Sequence, residues 1–160
     1  MKIYKLEKSQ LLDIDLETAW KFFSDPKNLQ KITPSDLSFN ILSPLPEKVY
    51  PGLIILYKIK IFSFIPFNWV TEITQVRENE FFIDEQRFGP YKFWHHQHSF
   101  EKKNGKTLMK DTVHYGLPYG IFGRLGKGIV QKQLRQIFDY RKSILSDIAF
   151  WTKIKELNKK

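Results

Sequence analysis

Three of the chain's four histidines, His95, His96 and His98, lie in the segment FWHHQHSF at residues 93–100. Imidazole side chains bind metal ions and exchange protons near neutral pH. The segment therefore raises three alternatives: a metal site, a general acid-base group, or a β-strand that carries polar side chains into an unusual place. Cysteine is absent from the chain, which excludes disulfides, thiolate metal ligands and a cysteine nucleophile.

The residues that follow this segment set the register in which it pairs. Asn104-Gly105 is the strongest signal for a two-residue hairpin loop, and it places His98 opposite Asp111. Side chains alternate between the two faces of a strand, so one face of the hairpin collects aromatic, imidazole and carboxylate groups. That face is predicted to point inward and consists of Trp94, His96, His98, Phe100, Met109, Asp111, Val113 and Tyr115. His95 falls on the opposite face, towards solvent.

The strand before the histidine segment joins the same face only if the connecting loop has the right length. With Gly89-Pro90 in a three-residue loop, Asp84 and Gln86 point inward and Asp84 lies beside His96. A two-residue loop would turn both side chains away, because a shift of one residue exchanges the faces of a strand.

Three further residues join the candidate ligand site from other elements. Trp69 and Thr71 are assigned inward on strand alternation alone. Arg141 lies on the apolar stripe of a C-terminal helix. It is predicted either to pair with an inward carboxylate, to cap the polar end of a ligand, or to extend its charged end to the surface.

The inward histidines have three chemical interpretations. A metal site would use His96, His98 and Asp111, but most such sites need a third strong convergent ligand and no other histidine faces inward; we therefore expect no metal and no other cofactor. In acid-base chemistry, Asp111 would orient His98 and raise its basicity. The favoured interpretation is a hydrogen-bond network that orients a ligand in a mostly apolar cavity, because buried polar groups must be paired.

The elements that position these residues follow from periodicity. A strand is predicted over residues 2–14, a helix from Leu16 with Asp15 as its N-cap, and a short helical segment over 28–32. Hairpin strands are predicted at residues 39–44, 53–62, 69–76, 81–88, 91–101 and 107–116. One long helix is predicted over 124–153. This order, β-αα-β(5-6)-α, predicts an α+β fold in which a curved antiparallel sheet wraps around the C-terminal helix.

Composition bounds the location and the partners. At 160 residues the chain is predicted to form a single domain over 1–160. Neither a signal peptide nor an apolar run long enough to span a membrane is apparent, so a cytoplasmic protein is expected. The net charge is +9, but the lysines are scattered rather than gathered in one block, and no nucleic-acid motif occurs, so no nucleic-acid partner is expected.

Two further segments invite functional interpretations. GIFGRLGKG, at residues 120–128, lacks the Ser or Thr and the preceding buried strand of a phosphate-binding loop; its glycines are predicted to let the chain turn into the last helix. FSFIPFNW, at residues 62–69, is apolar for a hairpin connection. It is predicted to pack under the helix, with a cavity lip or a transient membrane contact as the alternative.

Four segments resemble the START-like superfamily known as SRPBCC. They are WKFFSDPKNLQKITP, GPYKFWHHQHSF, DTVHYGLPYG and IFDYRKSIL. With the order of elements, they are most similar to an uncharacterised bacterial branch of this superfamily, which also includes polyketide cyclases, coenzyme Q-binding proteins and plant ligand-binding proteins. The resemblance implies a helix-grip fold with an elongated apolar cavity between the sheet and the last helix.

The resemblance implies function only loosely, because superfamily members bind varied apolar molecules and a minority are enzymes. We expect a binder or carrier of a hydrophobic small molecule such as a lipid, a quinone, or a polyketide-like or aromatic compound. The alternative is a cyclase or dehydratase that uses His98 and Asp111 as its catalytic pair. The resemblance supplies no catalytic set, so the candidate site residues rest on strand register alone.

Overall fold

The computed structural model describes residues 1–61, 65–118 and 127–157. Seven strands form one antiparallel sheet in the order β1-β7-β6-β5-β4-β3-β2. The strands are β1 (Ile3–Leu12), β2 (Asn40–Ile41), β3 (Leu53–Ile61), β4 (Ile65–Arg77), β5 (Phe81–Phe88), β6 (Phe93–Lys103) and β7 (Lys106–Gly116). The helices are α1 (Leu16–Phe23), α2 (Lys127–Leu145) and α3 (Ile148–Leu157), with 3₁₀-helices at Pro26–Ile32 and Ser35–Leu37. The predicted helix-grip fold is confirmed.

The β6-β7 hairpin has the register that its loop predicts. Asn104 and Gly105 have φ values of 51° and 77°, as a two-residue turn of the mirror-image type requires. His98 is paired with Asp111. Every second side chain from Trp94 to Phe100 is buried, so the histidine strand presents one face to the interior.

The β5-β6 pairing turns Asp84 inward. Asp84 lies opposite His96 in the ladder, the register predicted with a three-residue loop. Gln86 has a different role: its side-chain amide donates to the carbonyl of Tyr91 (2.6 Å), and the Tyr91 N–H donates to Gln86 Oε1 (3.2 Å). Gln86 therefore fastens the connection between the two strands.

Irregular pairing bends the sheet towards the helix. β4 has register shifts between Val70 and Thr71 and between Ile73 and Gln75. Such bulges bend a strand and increase its twist. The curved sheet faces α2, and α1 packs against the inner face of the same sheet through the buried side chains of Trp20 and Phe23.

The predicted single C-terminal helix is two helices. α2 ends at Leu145 and α3 begins at Ile148, because the Asp147 carboxylate accepts a hydrogen bond from the N–H of Ala149 at 2.9 Å. This is the bond that an N-cap makes. Trp151, on α3, is buried and donates to the carbonyl of Leu145, so the break turns α3 back onto the core.

Parts of three predictions lie outside the described residues. They are the helix start at 124–126, most of GIFGRLGKG, and Phe62 and Phe64 of FSFIPFNW. The short helical segment predicted over 28–32 is a 3₁₀-helix that begins at Pro26. None of the helices in the described ranges combines the length and the apolar character that crossing a membrane requires.

Candidate functional site

A cavity of about 180 Å³ lies between the sheet and α2. Seven of the residues predicted for the site lie in its wall: Trp69, Thr71, Asp84, Trp94, His96, His98 and Arg141. The remainder of the wall is mainly aliphatic and aromatic. An apolar chamber with a few converging polar groups is the usual form of a small-molecule site.

One side of the cavity wall is formed by half-buried residues. Asn28, Leu29 and Thr33 come from the first 3₁₀-helix and its C-terminal end, and Gln133 and Ile137 come from α2. Many of the other wall residues are buried, among them Ile55, Leu134 and Phe138. The cavity wall is therefore partly exposed where the first 3₁₀-helix meets α2.

Two histidines and two aspartates form a closed cluster at the sheet side of the cavity. His96 Nε2 is hydrogen-bonded to Asp111 Oδ1 at 2.8 Å, and His98 Nε2 to Asp84 Oδ2 at 2.9 Å. The remaining ring nitrogens also face carboxylates: His96 Nδ1 lies 3.2 Å from Asp84 Oδ2, and His98 Nδ1 lies 2.9 Å from Asp111 Oδ1. Each imidazole therefore lies between the two carboxylates.

The predicted contact between His98 and Asp111 is present. However, His98 forms its hydrogen bond with Asp84, and Asp111 forms its hydrogen bond with His96. His98 Nδ1 lies close to Asp111 without the geometry of a hydrogen bond, and it has no hydrogen-bond partner in the described part of the chain. The well-formed bond to Asp111 comes from His96 instead. The exchange depends on Asp84, which offers His98 a second acceptor.

Aromatic rings hold the imidazoles in place. Phe82 stacks on His98 with ring centroids 4.3 Å apart, and Phe138 of α2 meets the edge of His96 at 5.7 Å. The two imidazole rings are themselves 3.7 Å apart. Buried rings with packed neighbours have few alternative rotamers, so the polar groups are preorganised.

Two further polar groups contact the aspartates. The indole N–H of Trp94 donates to Asp84 Oδ1 at 3.1 Å. Arg141, 7% exposed, places Nη1 3.8 Å from Asp111 Oδ1. Nε and Nη1 of Arg141 have no hydrogen-bond partner among the described residues. Of the three predicted roles, surface extension is excluded, because the guanidinium is buried beside a carboxylate.

Asp84, Asp111 and His96 are ionised at neutral pH. Burial alone would raise the pKa of Asp84 and of Asp111, but the charges and hydrogen bonds of the two histidines outweigh it and hold both pKa values well below their usual range. Burial alone would lower the pKa of His96, but the Asp84 charge and the Asp111 hydrogen bond raise it to about 9. His96 is therefore a cation between two carboxylates.

Five of the predicted site residues lie outside the cavity wall. Phe100 is covered by Trp20 and Phe23 of α1, with ring centroids 5.8 and 5.2 Å away. Tyr115 packs against Tyr4 at 5.5 Å. The others are Met109, Asp111 and Gln86. Met109 is a core residue, Asp111 lies behind the imidazoles, and Gln86 binds the loop.

Strand register alone could not identify several wall residues. They are Tyr57 of β3, Tyr91 of the β5-β6 connection, Leu29 of the 3₁₀-helix, and Leu134 and Phe138 of α2. Leu134 and Phe138 follow the apolar stripe that also carries Arg141, so helical periodicity places them on the inner face. The contribution of the 3₁₀-helix depends on tertiary packing, which leaves no periodic signal in so short a segment.

The comparisons with solved structures identify the fold. A crystal structure of a protein from Thermus thermophilus is similar with a TM-score of 0.69 and 16% identity, over 89% of this chain and 94% of that one. A START superfamily protein from Mycobacterium smegmatis gives 0.66 and 12%, over 88% and 96%. The major latex-like protein 151 of Panax ginseng gives 0.60 and 14%, over 88% and 96%. No family model and no curated protein matches the sequence.

Proposed function

We propose that this chain, which has the START-like helix-grip fold, binds and carries a small hydrophobic molecule in the cavity between its sheet and α2. The observation that carries the proposal is the cavity itself, whose wall is mainly apolar and whose polar groups gather in one cluster. Such a chamber favours an apolar body with one polar end.

The cavity limits the size of the ligand. Its volume of about 180 Å³ is close to that of an engineered cavity of about 150 Å³ that binds benzene. The enclosed part of the ligand therefore has the size of one or two rings. A longer molecule would extend beyond the cavity, past the half-buried wall residues of the 3₁₀-helix and α2.

Apolar burial alone gives only weak binding at this size. About 150 Å² of ring surface, at about 25 cal/mol per Å², contributes about 4 kcal/mol, which corresponds to a dissociation constant of about 1 mM before the cost of immobilisation. Tighter binding requires the polar groups in the wall. Arg141 and Trp69, both in the wall, carry side-chain nitrogens without a hydrogen-bond partner in the described ranges and are the groups available to a ligand.

Toluene tests the cavity with an internal control. The four tryptophans divide into two in the wall, Trp69 and Trp94, and two in the core beyond it, Trp20 and Trp151. We expect millimolar toluene to shift the indole N–H signals of the first pair in a nuclear magnetic resonance titration, saturably, and to leave the second pair nearly unchanged.

Two variants, one that fills the cavity and one matched control, extend this titration. Leu134→Phe replaces an aliphatic side chain in the wall by a larger phenyl ring, whereas Ile129→Phe places the same ring on the exposed side of α2. Binding should weaken at least about tenfold in the first variant and persist in the second. Equal shifts of all four indole signals, or equal binding by both variants, would contradict the proposed cavity.

A catalytic role in a cyclase or dehydratase reaction is the second candidate. It is favoured by one observation: His98 lies in the cavity wall between two carboxylates, Asp84 at its Nε2 and Asp111 close to its Nδ1, and a neighbouring carboxylate orients a histidine that acts as a general base. His98→Gln separates the two functions once a ligand is known. Ligand affinity should stay within a few-fold in a carrier, whereas loss of turnover with retained affinity would establish the enzyme.

A further inference from the structure

We propose that Asp84, His96 and His98 form a binding site for a divalent transition-metal ion, with its open coordination positions facing the cavity. By strand register only two histidines face inward, so a metal ion needs a further strong ligand from a neighbouring strand. Asp84 fills that place, and its carboxylate and the two imidazoles offer donor atoms that all lie within 4.8 Å of one another. Two histidines and one carboxylate are a common ligand set for such ions.

The distances between the donor atoms suit a small ion. Asp84 Oδ2 lies 2.9 Å from His98 Nε2 and 3.2 Å from His96 Nδ1. In a tetrahedral zinc site with bonds of about 2.0–2.1 Å, neighbouring donor atoms lie about 3.3 Å apart. The two separations from Asp84 are therefore within a few tenths of an ångström of those in such a site, and the donor atoms of the two histidines lie within 4.8 Å of each other.

The groups around Asp84, His96 and His98 are placed like the hydrogen-bond partners that surround the ligands of a metal ion. The other nitrogen of each imidazole faces the same carboxylate oxygen, Asp111 Oδ1, at 2.8 Å from His96 and 2.9 Å from His98. The other oxygen of Asp84 accepts a hydrogen bond from Trp94. Metal-binding histidines usually contact a carboxylate or carbonyl through their second nitrogen, which fixes ring orientation and strengthens the ligand.

The position of the site leaves room for an outside ligand. Asp84, His96 and His98 lie in the cavity wall, whereas Asp111 lies behind them. Three protein ligands leave at least one position of a tetrahedral ion free, and in this arrangement it points into the cavity. The ion would thus present a coordination site to the polar end of a bound molecule.

The alternative is a cluster without metal, in which N–H groups of the imidazoles satisfy the carboxylates. The two differ in their response to metal, because an ion must displace protons from the nitrogens it binds. Apolar binding is a separate property of the cavity: toluene binding does not require the ion, and metal binding does not require toluene. Failure of either test therefore leaves the other proposal intact.

The decisive experiment is titration of the full chain with Zn²⁺ and with Co²⁺ after treatment with a chelator and removal of that chelator. Calorimetry should show one equivalent of Zn²⁺ bound with release of protons. Co²⁺ should give the visible absorption bands of a tetrahedral or five-coordinate site, and Zn²⁺ should abolish them. Absence of saturable binding of both ions to the folded wild-type chain would overturn the site.

Variants separate this site from adventitious binding by surface histidines. His95 and His114 form a pair on the opposite face of the same hairpin, with ring centroids 6.0 Å apart, so His95→Ala is the matched control and should leave the affinity unchanged. Asp111→Asn should weaken binding about 10- to 100-fold, and His98→Gln or Asp84→Asn should weaken it more.

One outcome of the same variant series would contradict the proposed site. Loss of binding in His95→Ala, with retention in His98→Gln and Asp84→Asn, would assign the ion to the solvent face. Circular dichroism shows whether each variant is folded. If a variant fails to fold, the Co²⁺ spectrum of the wild-type chain still decides, because a surface histidine pair gives the weak bands of octahedral cobalt.

Discussion

Asp111→Ala should lower the free energy of unfolding by about 3–5 kcal/mol, the cost of breaking a buried ion pair by removing one partner. Asp111 is 6% exposed, and one of its oxygens lies within 4 Å of His96, His98 and Arg141. Without it, the charged His96 and the guanidinium of Arg141 stay buried with too little negative charge. Urea denaturation of the two proteins at neutral pH measures the difference.

A surface aspartate provides the control for this prediction. Asp139 forms an exposed ion pair with Lys8 at 2.8 Å, and such pairs contribute less than about 1 kcal/mol. Asp139→Ala should therefore be almost neutral. Adding Arg141→Met to Asp111→Ala should recover part of the lost stability, because it removes one of the uncompensated charges. Equal losses for Asp111→Ala and Asp139→Ala would show that the cluster does not hold buried charge.

The register of the histidine strand could be predicted because it depends on a local signal. Asn104-Gly105 requires left-handed backbone conformations, and the structure has them at both residues. Once the loop is fixed, alternation assigns every side chain of the hairpin to a face. The face of Asp84 could not be predicted in this way, because it depends on the length of a loop that contains no comparable signal.

The extent of the cavity could not be predicted from register. β6 has 11 residues, which at about 3.3 Å per residue span about 36 Å. Such a face crosses several environments: Phe100 lies under α1, the two inward histidines face the cavity, and the partner strand places Tyr115 against Tyr4. Pointing inward is therefore necessary for a ligand contact but not sufficient.

The two C-terminal helices show why helical periodicity alone can mislead. Apolar residues recur at helical spacing from α2 into α3, and neither proline nor glycine separates them. The break is made by Ser146 and Asp147, of which Asp147 is a good N-cap residue. The capping residue within the periodic stretch therefore indicates the helix boundary, although the apolar stripe continues across it.

Phe138→Ala should lower the free energy of unfolding by about 3–5 kcal/mol, the usual cost of a buried phenylalanine. Phe138 is 5% exposed on α2, meets the edge of His96, and lies under the guanidinium of Arg141, whose central carbon is 5.0 Å from the ring centre. It also lines the cavity, so its removal enlarges the space available to a ligand while it loosens two groups of the polar cluster.

Because Phe138 lines the cavity as well as packing in the core, its removal should change the response to a ligand, which removal of a residue in the closed core would not do. Naphthalene should raise the melting temperature of Phe138→Ala more than that of the wild type, because a ligand that binds only the folded state stabilises it in proportion to its occupancy. Tyr140→Ala, on the more exposed side of the same helix, should cost less than about 1 kcal/mol and gain nothing from naphthalene. If naphthalene leaves Phe138→Ala unchanged, the space freed by the ring collapses, and α2 cannot be the wall that sets ligand size.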